Sequence, residues 1–261
     1  MGCGLERSFD LLASLREQVE SVGACSLPGC SFDYSVFMPI LQRAVIRGHV
    51  ALQSAQFVAH GLRFGFICGV DVARMRGRRI FRNYPTAYAA AEQVSDAVRK
   101  RVLASKTICL GAFDRTRKHL IPFPVYSVFP MGAVAKKLEA ASRPVDDHTR
   151  TLLNLATDLS GLRHSCRTQK EVAALFFKFF SMAVKGVSDA FPLIPLHPDL
   201  WPFMLFQWFD VMAVDGDEPD WCLFVHLFVI SSRVSVWLVF LGFGRFCFRT
   251  CCWVWRGRSS S

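Results

Sequence analysis

Two apolar runs, PFMLFQWF at residues 202–209 and WCLFVHLF at 221–228, flank an acidic stretch containing DGDEPD. Aromatic and branched residues at this density favour extended backbone, and Asp, Gly and Pro between them favour a reversal. The pattern predicts a β-hairpin. A lone hairpin is marginal in water, and this one is expected to lack covering strands and to leave apolar surface exposed. Leu5, Phe9, Leu12, Leu15, Val19 and Val22 recur at three- and four-residue steps and predict an amphipathic helix over 5–22. Mixed apolar and basic spacing predicts another over 39–64. Pro85 and Thr86 open TAYAAAEQVSDAVRKRVL, a helix with basic residues in its last turns. Thr168 followed by Glu171 is a capping box before a helix over 169–184, with Val172, Leu175, Phe176, Phe179 and Met182 as its apolar stripe. Between these helices, Pro122, Pro124 and Pro130 punctuate short apolar runs. MGAVAKKLE reads as a strand ending in two lysines, and RPVDDHTRTLLN as polar and turn-rich. Helices mixed with antiparallel strands predict an α+β fold.

The 261 residues are 52% hydrophobic, which excludes a mainly disordered or collagen-like chain. The net charge is 31 − 21 = +10. Half of it lies in residues 221–261, which hold Arg233, Arg245, Arg249, Arg256 and Arg258 and no acid. The body is therefore mildly basic, which permits nucleic-acid binding without requiring it. The basic stretch RMRGRRIFR supplies Arg74, Arg76, Arg78, Arg79 and Arg82, read either as a solvated loop or as a weak phosphate-contacting patch for RNA or DNA. The ten cysteines include no C-x-x-C pair, and residues 1–20 carry too many charges for a secretory leader. Reduced thiols and an intracellular address, cytoplasm or nucleus, are expected. Met-Gly-Cys at the start does not complete an acylation pattern, because Glu6 stands where Ser or Thr is needed.

PMGAVAKKLE (130–139), RPVDDHTRTLLN (143–154) and VSDAFPLIPLHPDLWPFMLFQWF (187–209) resemble the fingers and early palm of a retrotransposon reverse transcriptase. The enzymes concerned are of the long-terminal-repeat and tyrosine-recombinase kinds, and the resemblance covers roughly residues 60–228. It implies an incomplete α+β polymerase fingers and palm over 121–228. A helical pre-polymerase region over 60–120 would precede it, after an unassigned helical leader over 1–59. It also implies triphosphate-binding cations at Lys136, Lys137 and Arg143. Asp189 would line the nucleotide pocket, and Phe191 would be the aromatic beneath the sugar.

In the family, Mg²⁺ is held by palm aspartates, the first of them four residues before the alanine that matches Ala190. That place is Gly186, which has no side-chain oxygen. No Tyr/Phe-x-Asp-Asp sequence follows residue 209, and Asp146–Asp147 precedes the first motif. The resemblance therefore implies a catalytically inactive relic, with no catalytic residue, no metal ligand and no functional cofactor. Residues 229–261, rich in Arg, Cys and Trp, predict an irregular or helical apolar tail. With permitted codons and one restored base after Phe228, the neighbouring frame reads GDFVAGVRVAGLPGIW, close to the family's continuation, so the tail is expected to be out of frame. An alternative expectation is a small membrane protein anchored by residues 221–243, long enough to span a bilayer. Arg233 near its centre opposes this by about 2.5–3.5 kcal/mol.

Overall fold

The computed structural model describes residues 5–30, 33–67, 69–113, 115–135, 142–158, 194–212 and 221–228. Three helices come first: α1 (Leu5–Ser21), α2 (Tyr34–Ile46) and α3 (Leu52–Phe64). Phe9, Leu12, Leu15 and Val19 of α1 are buried, at the spacing that puts them on one face. Asp33 caps α2 by accepting hydrogen bonds from the backbone N–H groups of Ser35 (2.9 Å) and Val36 (3.3 Å). The single helix expected over 39–64 is two. Gly48, at φ +67°, takes the left-handed conformation that ends α2, and the His49 N–H returns to the Ala44 carbonyl at 2.9 Å. The helix expected from Thr86 is likewise divided, into α4 (Pro85–Ala89) and α5 (Ala91–Leu103), because Ala90 leaves helical geometry at φ −117°, ψ 35°.

Among the described residues the strands follow the order β1 (Arg78–Ile80), β2 (Thr107–Ala112), β3 (Tyr126–Phe129), β4 (Met131–Ala135), β5 (Ser142–Asp146), β6 (Leu205–Phe209) and β7 (Trp221–His226). Five form one mixed sheet in the order β1-β3-β6-β7-β2, and β4 and β5 form a separate antiparallel pair. β6 and β7 pair antiparallel, Leu205 opposite Val225 through Phe209 opposite Trp221, the arrangement expected from the two apolar runs. Residues 60–120, expected to be helical, also supply both edge strands of the main sheet.

Side chains alternate across this sheet with period two. Leu205, Leu223 and Val225 point into a core shared with Leu12, Leu15 and Val19 of α1 and Val58 and Leu62 of α3. Phe206, Trp208, Cys222 and Phe224 point the other way, against Ala87 of α4 and Val94 and Val98 of α5. The sheet is therefore apolar on both faces because helices cover both. This corrects the expectation that the hairpin would expose apolar surface: β3 and β2 flank it, and Leu205, Phe206, Trp208, Leu223, Phe224 and Val225 are all 0% exposed. The alternative membrane segment begins at Trp221, and residues 221–226 of it are an inner strand of this sheet. Among the described residues no helix is long and apolar enough to cross a membrane. The expected helix over 169–184 and the tail over 229–261 lie outside the described residues.

Pro130 separates β3 from β4. Lacking an N–H, it ends the ladder of β3 and lets the chain leave the main sheet for the β4–β5 pair. Asn83 fastens that departure. Its buried side-chain amide donates to the Gln207 carbonyl of β6 (2.8 Å) and its oxygen accepts from the Met131 N–H of β4 (2.9 Å). Asn83→Ala strands one buried carbonyl and one buried N–H, each costing about 1–3 kcal/mol. Urea unfolding should show this loss; an unchanged midpoint would remove the clamp from the account.

Candidate functional site

The basic stretch is neither wholly loop nor wholly free. Arg74 closes a short turn whose cap is Asp71, and its guanidinium pairs with the Asp71 carboxylate at 3.0 Å. Arg76 folds back to donate to the carbonyls of Ala73 and Met75. Arg78 lies on β1, where its guanidinium donates to the Pro124 carbonyl (3.4 Å) and sits 6.0 Å from the Tyr126 ring. Arg79 is half-buried on the same strand and Arg82 is exposed just beyond it. Because β1 is an edge strand among the described residues, Arg78 and Arg79 lie on one border of the main sheet.

Arg143 is exposed on β5, opposite Val134 of β4. Lys136, Lys137, Gly186, Asp189 and Phe191 lie outside the described residues. Of the residues singled out from the sequence, the structure thus places Arg78 and Arg79 on the edge strand, Arg74, Arg76 and Arg82 in the segments flanking it, and Arg143 on the separate hairpin. A residue that sequence reading passed over links the two regions. Arg150 follows β5, and its guanidinium lies 6.0 Å from the Phe81 ring and 5.8 Å from the Tyr84 ring, beside the end of the basic edge. Tyr84 in turn donates its hydroxyl to Asp147 at 2.6 Å. Asp147 also accepts from the N–H groups of Thr149 (3.0 Å) and Arg150 (3.3 Å). These hydrogen bonds overcome partial burial and hold its carboxyl below the ordinary aspartate range.

Beneath the hairpin lies a buried polar cluster. The Asp146 carboxylate, its side chain 3% exposed, is 3.7 Å from Arg101 of α5 and 3.8 Å from Nε2 of His226 on β7. The Thr107 hydroxyl of β2 meets His226 Nδ1 at 2.7 Å. Phe206 stacks on the His226 ring at 4.5 Å, and Phe129 lies between His148 (4.6 Å) and His226 (5.7 Å). Burial pushes His226 well below the ordinary histidine range, with Arg101 and His148 adding to the effect. Burial also lowers His148, against the opposing pull of Asp146 and Asp147. Both imidazoles are therefore neutral near pH 7. Arg101 Nη1, Asp146 Oδ1, His148 Nδ1 and His226 Nε2 are each buried with no hydrogen-bond partner among the described residues.

Compared with models of known protein families and with curated proteins, the chain matches none.

The chemistry open to the described residues thus rests on geometry alone. Among them, no group of three or more His, Cys, Asp or Glu is placed to hold a metal ion. Asp146 instead ties β5 to α5 and β7, which fixes the hairpin carrying Arg143 against the main sheet. Arg82, Arg143 and Arg150 are exposed to solvent. Asp146, as half of the Asp146–Asp147 doublet, was the one sequence signal for the buried cluster. Its partners come from four other segments.

Proposed function

We propose that the chain is a fragment of a retrotransposon-type reverse transcriptase, limited to fingers and early palm. It no longer polymerises, and it keeps a weak, salt-sensitive contact with RNA or DNA. The reading rests on the sequence VSDAFPLIPLHPDLW (187–201), which resembles the palm's first motif, with Gly186 where an aspartate would hold Mg²⁺. A glycine offers a divalent cation no carboxylate, so the two-metal activation of a primer end loses its first ligand. The antiparallel pair β4–β5 supports the same reading. It is a hairpin between MGAVA and SRPVD with Arg143 exposed, where the resemblance puts triphosphate-binding cations.

Two assays test this proposal with the full purified chain. Primer extension on an RNA or DNA template with Mg²⁺ or Mn²⁺ should give no incorporation; templated incorporation would overturn the inactive assignment. Filter binding of a labelled oligonucleotide should show affinity at low salt that falls steeply as salt rises. Arg82→Ala and Arg150→Ala should each flatten the plot of log affinity against log salt by about one unit of slope. No affinity at low salt would remove the nucleic-acid contact from the account.

A further inference from the structure

β2 and β7 run antiparallel with Cys109 opposite Phe224 and Ala112 opposite Cys222. Cys222 therefore stands two residues from Phe224, on the same face of the sheet and diagonal to Cys109. The register slips between Cys109 and Gly111, and Gly111 takes a φ of +101°, so the strand is bulged beside the sulfur. Both cysteines pack in the cluster of Phe224, Trp208, Val94 and Val98. Their side chains are hydrogen-bonded to one another, and neither sulfur is in a disulfide. Cys109 is half-buried, whereas Cys222 is 3% exposed.

We propose that Cys109 and Cys222 form a peroxide-reactive dithiol, with Cys109 the attacking thiolate and Cys222 the resolving thiol. The hydrogen bond from Cys222 favours the Cys109 thiolate and lowers its pKa; burial opposes this, and the Gly111 N–H adds to the lowering. In the first step the Cys109 sulfur attacks one oxygen of hydrogen peroxide. The O–O bond breaks, hydroxide leaves and takes up a proton as water, and Cys109 becomes a sulfenic acid. In the second step the Cys222 sulfur, giving up its proton, attacks the sulfenic sulfur. An S–S bond forms and the sulfenic oxygen departs as water. Two thiols are oxidised by two electrons and one peroxide is reduced to two waters.

A second thiol pair provides the internal comparison. Cys25 and Cys30 also touch, but the hydrogen bond with Cys30, together with burial, pushes the Cys25 thiol up. Cys25 further donates to the Leu62 carbonyl at 2.9 Å. It is therefore held as the protonated, slow-reacting form.

The reduced full chain is treated with one equivalent of hydrogen peroxide at pH 7, quenched in acid, alkylated, digested and mapped by mass spectrometry. The expected product is a linked peptide pair containing Cys109 and Cys222, two hydrogens lighter than the reduced pair. Under limiting iodoacetamide, Cys109 should be alkylated roughly ten times faster than Cys25. In Cys222→Ser, Cys109 should stop at the sulfenic acid and be captured by dimedone. Oxidation of Cys25 and Cys30 ahead of Cys109, or a Cys109 that stays reduced in the untouched chain, would overturn the proposal without any variant having to fold.

Discussion

Phe206→Ala is expected to destabilise the protein by about 3–5 kcal/mol, the cost of removing a large ring from a core that cannot collapse around the loss. Phe206 is 0% exposed on β6. Its ring stacks on Phe129 at 5.5 Å, Phe224 at 5.1 Å and His226 at 4.5 Å. Those neighbours sit on β3 and on β7, strands held on either side by the sheet ladder, and none can move in without breaking backbone hydrogen bonds. A domain of this kind has about 5–15 kcal/mol in total, so one ring decides a large share of it. Phe57→Ala is the contrast. Its side chain is 42% exposed, and the change should cost far less. Urea unfolding followed by tryptophan fluorescence separates the two. Equal midpoints for Phe206→Ala and the parent chain would mean that the β6–β7 core is not built as described.

The parts of this fold visible in the sequence are those in which neighbours along the chain are also neighbours in space. The period of Phe9, Leu12, Leu15 and Val19 declared α1, and two apolar runs around an acidic turn declared β6 and β7. The strand reading of MGAVA was equally local, and it is β4. Length misled where a single residue decides the backbone. The mixed spacing over 39–64 continues past Gly48, yet one left-handed glycine divides it, and Ala90 divides the next helix without any breaker residue to announce it. The basic run 74–82 hid an edge strand because β1 is defined by its partner Tyr126–Val128, 48 positions away, and not by its own composition. The cover on the hairpin was illegible for the same reason. Strands from residues 107–112 and 126–129 flank it, and a hydrophobic pattern does not say which distant segment will pair. The Asp146 cluster is the extreme case. Arg101, Thr107, Asp146, His148 and His226 come from α5, β2, β5, the turn after it and β7, and only Asp146, as half of an Asp-Asp doublet, stood out in the sequence.

That cluster makes the protein sensitive to mild acid. His226 and His148 are held neutral in the folded state, His226 well below its ordinary range, chiefly because burial penalises the charged ring. In the unfolded chain each titrates near the free value of about 6.5. Above that pH both states carry neutral imidazoles and the full stability is present. Below it the unfolded chain binds protons that the folded one refuses, so stability falls as pH falls. For His226 the slope approaches about 1.4 kcal/mol per pH unit, and His148 adds to it in the same direction. Asp147, whose carboxyl is held low by Tyr84, reinforces the trend only at pH values in the carboxylate range and so leaves the first unit of loss to the histidines. Urea midpoints measured from pH 7.5 to 5.5 should therefore hold nearly level to about pH 6.5 and decline below it. His226→Gln, which keeps a polar group opposite the Thr107 hydroxyl but cannot titrate, should remove the larger part of that slope while lowering stability at pH 7.5. A parent chain whose stability is level across this interval would mean that the imidazoles are not kept neutral, and the packing of Phe129 and Phe206 against them would have to be redrawn.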